Sequence, residues 1–231
     1  MSQGQLKQRE LQEITENTIL VEGDDDRAII DKLCKKRKIT IPNQTILVPN
    51  EFSEKIGGGF RGILKTIEEF HLNSSYHKVK KLLILCDANN EGASKRFSRI
   101  KKCLKEQKNI HFSIPKTLGT LSPLRPNTVS VGIFIFPNNK DKGTLETLCL
   151  KTLKEQKRLQ MANYYLQALR KNNLLKTPNH RLDKARLHAY LAASKEPNIH
   201  IRGALKNQEI DLNSNHYDQL VNFLRSLTDS T

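Results

Sequence analysis

Two apolar runs in this sequence are each followed directly by carboxylate side chains. Residues 19–21 lead into Glu22, and residues 22–26 contain four acids within five positions; residues 82–86 lead into Asp87. Clustered carboxylates repel one another and raise each other's pKa, so they need a compensating cation. Because parallel strands end at the same edge of a sheet, the two runs predict a divalent metal site at that edge.

Strand and helix patterns alternate through the first two thirds of the chain. The apolar run at 82–86 is typical of a parallel strand covered on both faces, and a basic helix is predicted over 93–105. Prolines predict a loop or irregular insertion over 110–128. We predict a Rossmann-like α/β fold: a mostly parallel four-stranded sheet flanked by helices. The predicted strands are 18–21, 45–48, 82–86 and 131–136.

The hydrophobic pattern divides the chain into three parts. Residues 1–17 are polar and predict a tail, and residues 18–156 carry the α/β core. Residues 157–231 show only helical patterns, centred on 159–169, 184–193 and 217–227. No linker composition separates this region from the core, so we predict a helical extension packed on the sheet.

The chain is strongly basic, with 39 Lys and Arg against 24 Asp and Glu and a formal net charge of +15. Such a surface favours nucleic acid as partner before anionic membrane. No apolar run approaches the ~18 residues of a membrane span, and no basic amphipathic helix favours membrane-surface binding. The N-terminus has no signal-peptide pattern, so we expect a cytoplasmic protein.

Glu22 and Asp26 are the first candidate metal ligands, because Mg²⁺ and Mn²⁺ prefer carboxylate oxygens. Helix capping is the alternative: Asp24 or Asp25 would be the N-cap, and acids are favourable near a helix N-terminus. Capping does not account for Glu22, which precedes the helix beside Gly23.

The other candidates are weaker by pattern alone. Asp87 and Asn89 suit an ordinary turn as well as a metal site. The position of Glu146 is typical of an acid that stabilises a helix N-terminus. By its charge alone, Lys184 is one of many solvated lysines. The glycines at 57–59 lack a phosphate-loop pattern and predict a flexible loop able to approach a phosphate backbone.

The strand-end acids resemble the Toprim domain of topoisomerases, primases and overcoming-lysogenization-defect (OLD) nucleases. Val21-Glu22-Gly23 is similar to the first Toprim motif, with Asp26 at the OLD-type spacing, and Asp87-Ala88-Asn89 is similar to the D-x-D motif. Residues 132–137, 143–146 and 184–192 resemble a small Toprim-like family. The resemblance spans about residues 16–227.

The resemblance implies a metal-dependent endonuclease that cleaves nucleic-acid phosphodiester bonds. Glu22, Asp26, Asp87, Asn89 and Glu146 would form the site for one or two Mg²⁺ or Mn²⁺ ions. Glu22 would be a shared ligand or a general base, and Lys184 would lie near the scissile phosphate. The family pattern has Asp where this chain has Asn89. The neutral amide would weaken binding of the ion, favour Mn²⁺ or mark a degenerate site.

The resemblance also implies partners. OLD-type Toprim modules work with an ATPase, and this sequence has no Walker pattern, so a separately encoded ABC- or AAA-type ATPase is expected, as in anti-phage defence. DNA and RNA, tRNA included, both stay open as substrates, as does a homo-oligomer. The alternative is that the chain is a catalytically degenerate Toprim-fold module with a nucleic-acid-binding or regulatory function.

Overall fold

The computed structural model of the chain describes residues 13–53, 55–197 and 199–228. Five strands form one sheet: β1 (Asn17–Leu20), β2 (Gln44–Leu47), β3 (Lys81–Asp87), β4 (Phe112–Ser113) and β5 (Val129–Phe136). The helices are α1 (Asp24–Lys36), α2 (Pro49–Phe52), α3 (Gly59–Glu69), α4 (Ala93–Lys105), α5 (Leu145–Leu150), α6 (Gln156–Lys171), α7 (Leu182–Ala192), α8 (Ile201–Lys206) and α9 (Asp218–Arg225). Short 3₁₀ turns lie at Phe70–Leu72, Tyr76–Lys78, Asn179–Arg181 and Asn215–Tyr217.

The sheet has the order β2-β1-β3-β5-β4, and every neighbouring pair is parallel. The predicted α/β class is confirmed, but the predicted number of four strands is wrong. The fifth strand, β4, lies in the proline-containing stretch predicted as a loop. It is only two residues long and is defined by its pairing with Val129 and Ser130 of β5, so no local periodicity could reveal it.

Helices cover both faces of the sheet. Ile19 and Leu83 face one core cluster together with α1 and residues of α5 to α9. Leu20 and Ile84 face the other cluster, with α3 and α4. Because the central strands are buried on both sides, their sequences are continuous apolar runs.

The C-terminal helices pack on the same face as α1. Phe223 of α9 reaches Gly132 in β5 so closely that a Cβ on this glycine would lie 2.9 Å from the ring and 2.5 Å from Leu83 Cδ2. The helical C-terminal region therefore shares one hydrophobic core with the sheet.

The predicted polar tail of residues 1–17 falls largely on residues 1–12, which lie outside the described residues. Ile14 is fully buried and belongs to the α3–α4 side of the core. The packed structure therefore begins before the predicted start of the first strand at residue 18.

The chain runs from β1 to β2 on one side of it, and then from β2 to β3 on the other side of β1. The carboxyl ends of β1 and β3 therefore flank a topological switch point, where open α/β sheets form a crevice. Within the ranges that the structure describes, no helix is both long and apolar enough to cross a membrane.

Candidate metal centre and phosphate-binding site

The two strand-end acids, Glu22 and Asp87, lie at the switch-point crevice. Glu22 follows β1, and Asp87 is the last residue of β3. Because β1 and β3 are hydrogen-bonded neighbours, with Leu20 opposite Ile84, both carboxylates emerge at the same edge of the sheet. This is the juxtaposition that the strand pattern predicts.

Backbone N–H groups hold the two acids in position. The N–H of Asp87 donates to Glu22 Oε1 at 2.9 Å, and the N–H of Leu145 donates to Asp87 Oδ1 at 2.8 Å. The N–H of Gly59 donates to the carbonyl oxygen of Glu22 at 3.1 Å. The starts of α3 and α5 are therefore tied to the ends of β1 and β3.

Gly59 is the glycine of the 57–59 loop that approaches the acids. Its φ is +75°, a conformation that L side chains rarely adopt, and a Cβ there would lie 3.9 Å from Glu22 Oε2. The glycine thus keeps the wall beside Glu22 open.

The first turn of α1 supplies three consecutive acids. The N-cap is Gly23, with no side-chain cap hydrogen bond, so the interpretation of Asp24 or Asp25 as the N-cap is wrong. Asp26 is buried, whereas Asp24 is exposed. The α-helical turn therefore directs Asp26 inward, toward Glu22.

Asp25 is a half-buried member of the same turn, and its pKa is raised by burial and then by Glu146. The charges of His200 and Lys184 and the backbone N–H of Arg202 oppose this rise. Asp25 thus lies between the acids and a basic side of the crevice, which the sequence pattern did not indicate.

Four carboxylates, Glu22, Asp26, Asp87 and Glu146, form what we call the acid cluster. Burial raises the pKa of Asp26 well above its usual value, and Glu22 and Glu146 add to this. Burial also raises the pKa of Asp87 far above its usual value, followed by the charges of Asp26 and Glu22. The pKa of Glu22 is raised by burial, against the Asp87 N–H and Arg96. The metal-free site thus disfavours ionisation of these carboxylates, which a bound cation would reverse.

Glu146 and Lys184 meet at the crevice from two helices. Glu146 lies in the first turn of α5 with its side chain 14% exposed, and its Oε1 is 3.7 Å from Nζ of Lys184. The Thr147 hydroxyl donates to Asp183 Oδ2 at 2.7 Å, which joins α5 to the start of α7. This contact places Lys184, whose side chain is 57% exposed, beside the acid cluster.

The acid cluster lies where two cavities adjoin. One, of about 460 Å³, is lined by all four acids and by His200 and Arg202. The other, of about 750 Å³, is lined by Glu22, Asp87 and Glu146 and continues toward Asn89, Arg96 and Arg181. An extended ligand could pass across the acids from one cavity to the other.

Asn89 lines only the second cavity, beyond Asp87. Its φ is +48°, and its backbone pairs with Gly143 through N–H donations of 2.7 and 3.3 Å. Asn tolerates this left-handed conformation better than most residues. Asn89 thus shapes the cavity wall through its backbone conformation and its backbone hydrogen bonds to Gly143.

Arg96 is a functional candidate that the sequence analysis missed. Its side chain is 10% exposed, and its guanidinium lies 3.9 Å from the centroid of the Phe60 ring. The Nε atom is 3.5 Å from Glu91 Oε2 but makes no hydrogen bond. An arginine on the buried stripe of α4, one turn before Ile100, was the available signal.

The donor set of the acid cluster is all oxygen, which fits Mg²⁺ or Mn²⁺, and its mutual repulsion calls for a cation. Among the described residues, however, no three His, Cys, Asp or Glu side chains are arranged so that they could hold a metal ion together. Glu22 and Asp87 each direct one oxygen to a backbone N–H. The residues fit the ion by chemistry, and the side chains would have to reorient to hold it.

Comparisons with known proteins leave the activity open. No curated protein and no solved structure matches the chain. One family model, described as "Protein of unknown function (DUF3226)", matches residues 16–229, which include both strand-end acids, Glu146 and Lys184. The chain therefore belongs to the DUF3226 family.

Proposed function

We propose that the protein is a divalent-metal-dependent nuclease that cleaves phosphodiester bonds of nucleic acid. The observation that carries the proposal is the convergence of the four acids with Lys184 at the sheet's switch point. Burial, and then the neighbouring acids, raise the pKa values of Asp26 and Asp87, and the ammonium group of Lys184 lies 3.7 Å from Glu146. This arrangement is suited to a metal ion and a phosphate.

Glu22, Asp26, Asp87 and Glu146 would hold the Mg²⁺ or Mn²⁺. A bound ion supplies a polarised phosphate oxygen and a water molecule of lowered pKa. Glu22 would be a shared ligand or the general base, since its carboxylate lies between the ends of β1 and β3; general-base catalysis contributes about 10²–10⁴-fold. Lys184 would stabilise negative charge on the phosphate oxygens.

The basic residues of the two cavities favour a polyanion as substrate. His200 and Arg202 line one side of the acid cluster, and Arg96 and Arg181 line the other. Together with the net charge of +15, they favour nucleic acid over an isolated phosphate ester. A separate ATPase partner in a cytoplasmic anti-phage system belongs to the same proposal, and co-expression followed by co-purification tests it.

The test compares wild type with Glu22→Gln on plasmid, single-stranded DNA and tRNA, in Mg²⁺, Mn²⁺ or EDTA. We expect cleavage only with an ion, and a loss of about 10²–10⁴-fold in Glu22→Gln, the range for removal of a general base. Glu68→Gln is the matched control, because Glu68 is exposed on α3 and pairs with Lys65. Cleavage that survives both EDTA and Glu22→Gln would overturn the proposal.

One further candidate function is a catalytically degenerate nucleic-acid-binding module. Asn89, in place of the Asp of the resembling motif, favours it, as does the lack of a ready-made ion site among the described residues. Asn89→Asp separates the two functions, because Asp also tolerates the φ of +48°. Cleavage that appears only in Asn89→Asp would support the degenerate module; cleavage by the wild type would exclude it.

A further inference from the structure

Five lysines line a third cavity, of about 440 Å³, away from the acid cluster. We call it the lysine cavity; its lysines are Lys32, Lys35, Lys36, Lys154 and Lys206. Among the residues that the structure describes, Asp211 is the one carboxylate on its wall. Within the described ranges none of the five lysines forms an ion pair. Cations gathered without counter-charge repel one another, which favours an anionic ligand.

Arg37 fixes one wall of the lysine cavity. It follows α1, and its guanidinium donates to the carbonyl oxygens of Leu212 and Ser214, both at 2.9 Å. It also pairs with Asp218 at 3.1 Å. The loop that closes the cavity is therefore anchored to the end of α1, beside Lys35 and Lys36.

The opposite wall is fixed by backbone pairing. The N–H of Lys154 donates to the carbonyl of Glu209 at 3.0 Å, and the N–H of Asp211 donates to the carbonyl of Thr152 at 2.7 Å. This two-sided bridge places Lys154 across from the C-terminal turn of α1. The lysines thus converge from three separate segments that contacts within the protein hold in place.

Helix electrostatics explains part of this arrangement. Lys35 and Lys36 lie in the last turn of α1, and Lys206 lies in the last turn of α8, where a cation is stabilised by the helix dipole. The dipole does not explain Lys32, which lies earlier on α1, or Lys154, which lies on no helix. Convergence on one cavity needs a further reason.

Two packed helices connect the lysine cavity to the acid cluster. Helices α1 and α8 pack side by side. Asp25 and Arg202 lie together near the start of both helices, and Lys32 and Lys206 line the lysine cavity further along them. Seven residues of α1 separate Asp25 from Lys32, which is roughly 10 Å at about 1.5 Å per residue. That separation matches about three successive phosphates of one duplex strand, at roughly 3.4 Å each.

We propose that the lysine cavity binds the phosphate backbone of a nucleic acid, whose continuing segment runs along α1 and α8 toward the acid cluster. The destination of that segment rests on the proposed nuclease function, whereas phosphate binding by the lysines does not. Lysines on the walls of a cavity can surround a narrow strand of phosphates. A flat membrane surface would meet only the rim.

The test variant is Lys32→Ala/Lys36→Ala/Lys206→Ala in the full chain. Binding of fluorescent duplex DNA, single-stranded DNA and RNA is measured by anisotropy in EDTA over a salt series. We expect roughly tenfold or greater loss of affinity at low salt. The slope of log affinity against log salt should fall by about 2–3 for duplex DNA, because each lost phosphate contact contributes roughly 0.9.

The matched control is Lys101→Ala/Lys102→Ala/Lys105→Ala on α4, which removes the same charge elsewhere. Equal weakening by the control, or a test variant that binds as wild type does, would overturn the inference. So would loss of binding to vesicles containing anionic lipid with nucleic-acid binding intact.

Because binding is measured without metal, it is independent of cleavage. Lysine-dependent binding by a protein that never cleaves would contradict the nuclease proposal and support the cavity. Metal-dependent cleavage by a test variant whose affinity is unchanged would support the nuclease proposal and contradict phosphate binding in the lysine cavity.

Discussion

Glu22 and Asp87 are joined by a hydrogen bond of 2.9 Å from the Asp87 N–H to Glu22 Oε1. The bond crosses from the end of β1 to the end of β3, so it holds the Glu22 carboxylate beside Asp87 in the metal-free protein. Asp26 and Glu146 then add charge to an already crowded pair. The consequences for stability and activity can be measured.

The metal-free protein should lose stability as the pH rises. The pKa of Asp26 is raised above 3.8 in the folded protein, so the folded state holds a proton that the unfolded chain has already released. Between these two pKa values, each increase in pH favours unfolding. Asp26→Asn should therefore raise Tm in EDTA at pH 8, by about 2–4 °C for each kcal/mol of repulsion removed, and much less at pH 4.

Asp31→Asn is the control for this measurement, since Asp31 is exposed on the same helix. Differential scanning calorimetry from pH 4 to pH 8 gives both profiles. If Tm changes with pH in the same way in wild type and in Asp26→Asn, the Asp26 carboxylate is not repelled by its neighbours in the folded state.

Metal should stabilise the protein through the acid cluster. Mn²⁺ or Mg²⁺ at about 100 times Kd should add roughly 2.7 kcal/mol to the free energy of unfolding. Asp87→Asn should abolish most of this gain, because the ion would lose a ligand at the end of β3. Thermal melts of EDTA-treated protein with added ion measure the effect. An equal gain in wild type and Asp87→Asn would place the ion elsewhere.

Lys184→Ala should slow cleavage by about 10²–10³-fold, the usual cost of removing one electrostatic contact to a transition state. Stability should change by less than about 1 kcal/mol, because the Lys184–Glu146 pair is solvent-exposed on the lysine side. Single-turnover cleavage and thermal melts measure the two effects.

Lys184→Arg should restore part of the rate lost in Lys184→Ala by returning the positive charge. Lys195→Ala, an exposed lysine after α7, should leave the rate unchanged. A rate for Lys184→Ala equal to that of Lys195→Ala would remove Lys184 from the mechanism.

Gly132→Ala should destabilise the fold, because the added methyl group would meet Leu83 at 2.5 Å and the Phe223 ring at 2.9 Å. Overpacking of this kind costs about 1–3 kcal/mol. Urea unfolding measures the change, with Gly57→Ala as control, since no atom lies within 4 Å of a Cβ at Gly57. Equal stability of the two variants would mean that α9 can shift on the sheet without cost.

Several elements follow from local pattern alone. The basic helix predicted over 93–105 has those bounds in the structure, and the apolar run at 82–86 is the middle of β3. Helix α2 was not predicted, since Pro49 reads as the end of a strand, and α8 is too short to show a clear period. Long, strongly periodic segments are therefore the ones that sequence reveals.

The candidate site divides in the same way. Glu22 and Asp87 could be placed together in advance, because parallel strands end at one edge. Glu146 and Lys184 entered only through the Toprim resemblance, and their meeting depends on the contact between Thr147 and Asp183, 36 residues apart. Arg96 lies on the buried stripe of α4, but its contact with the Phe60 ring, from another helix, follows only from the tertiary structure.

By itself, the sequence determined the α/β class and the two strand-end acids, because burial of apolar runs and the period of secondary structure are local properties. Only the tertiary structure decided that Asp26 is buried, that Lys184 reaches Glu146, and that five lysines from three segments surround one cavity. These relationships arise when distant helices pack on a common core, and no spacing along the chain records that packing.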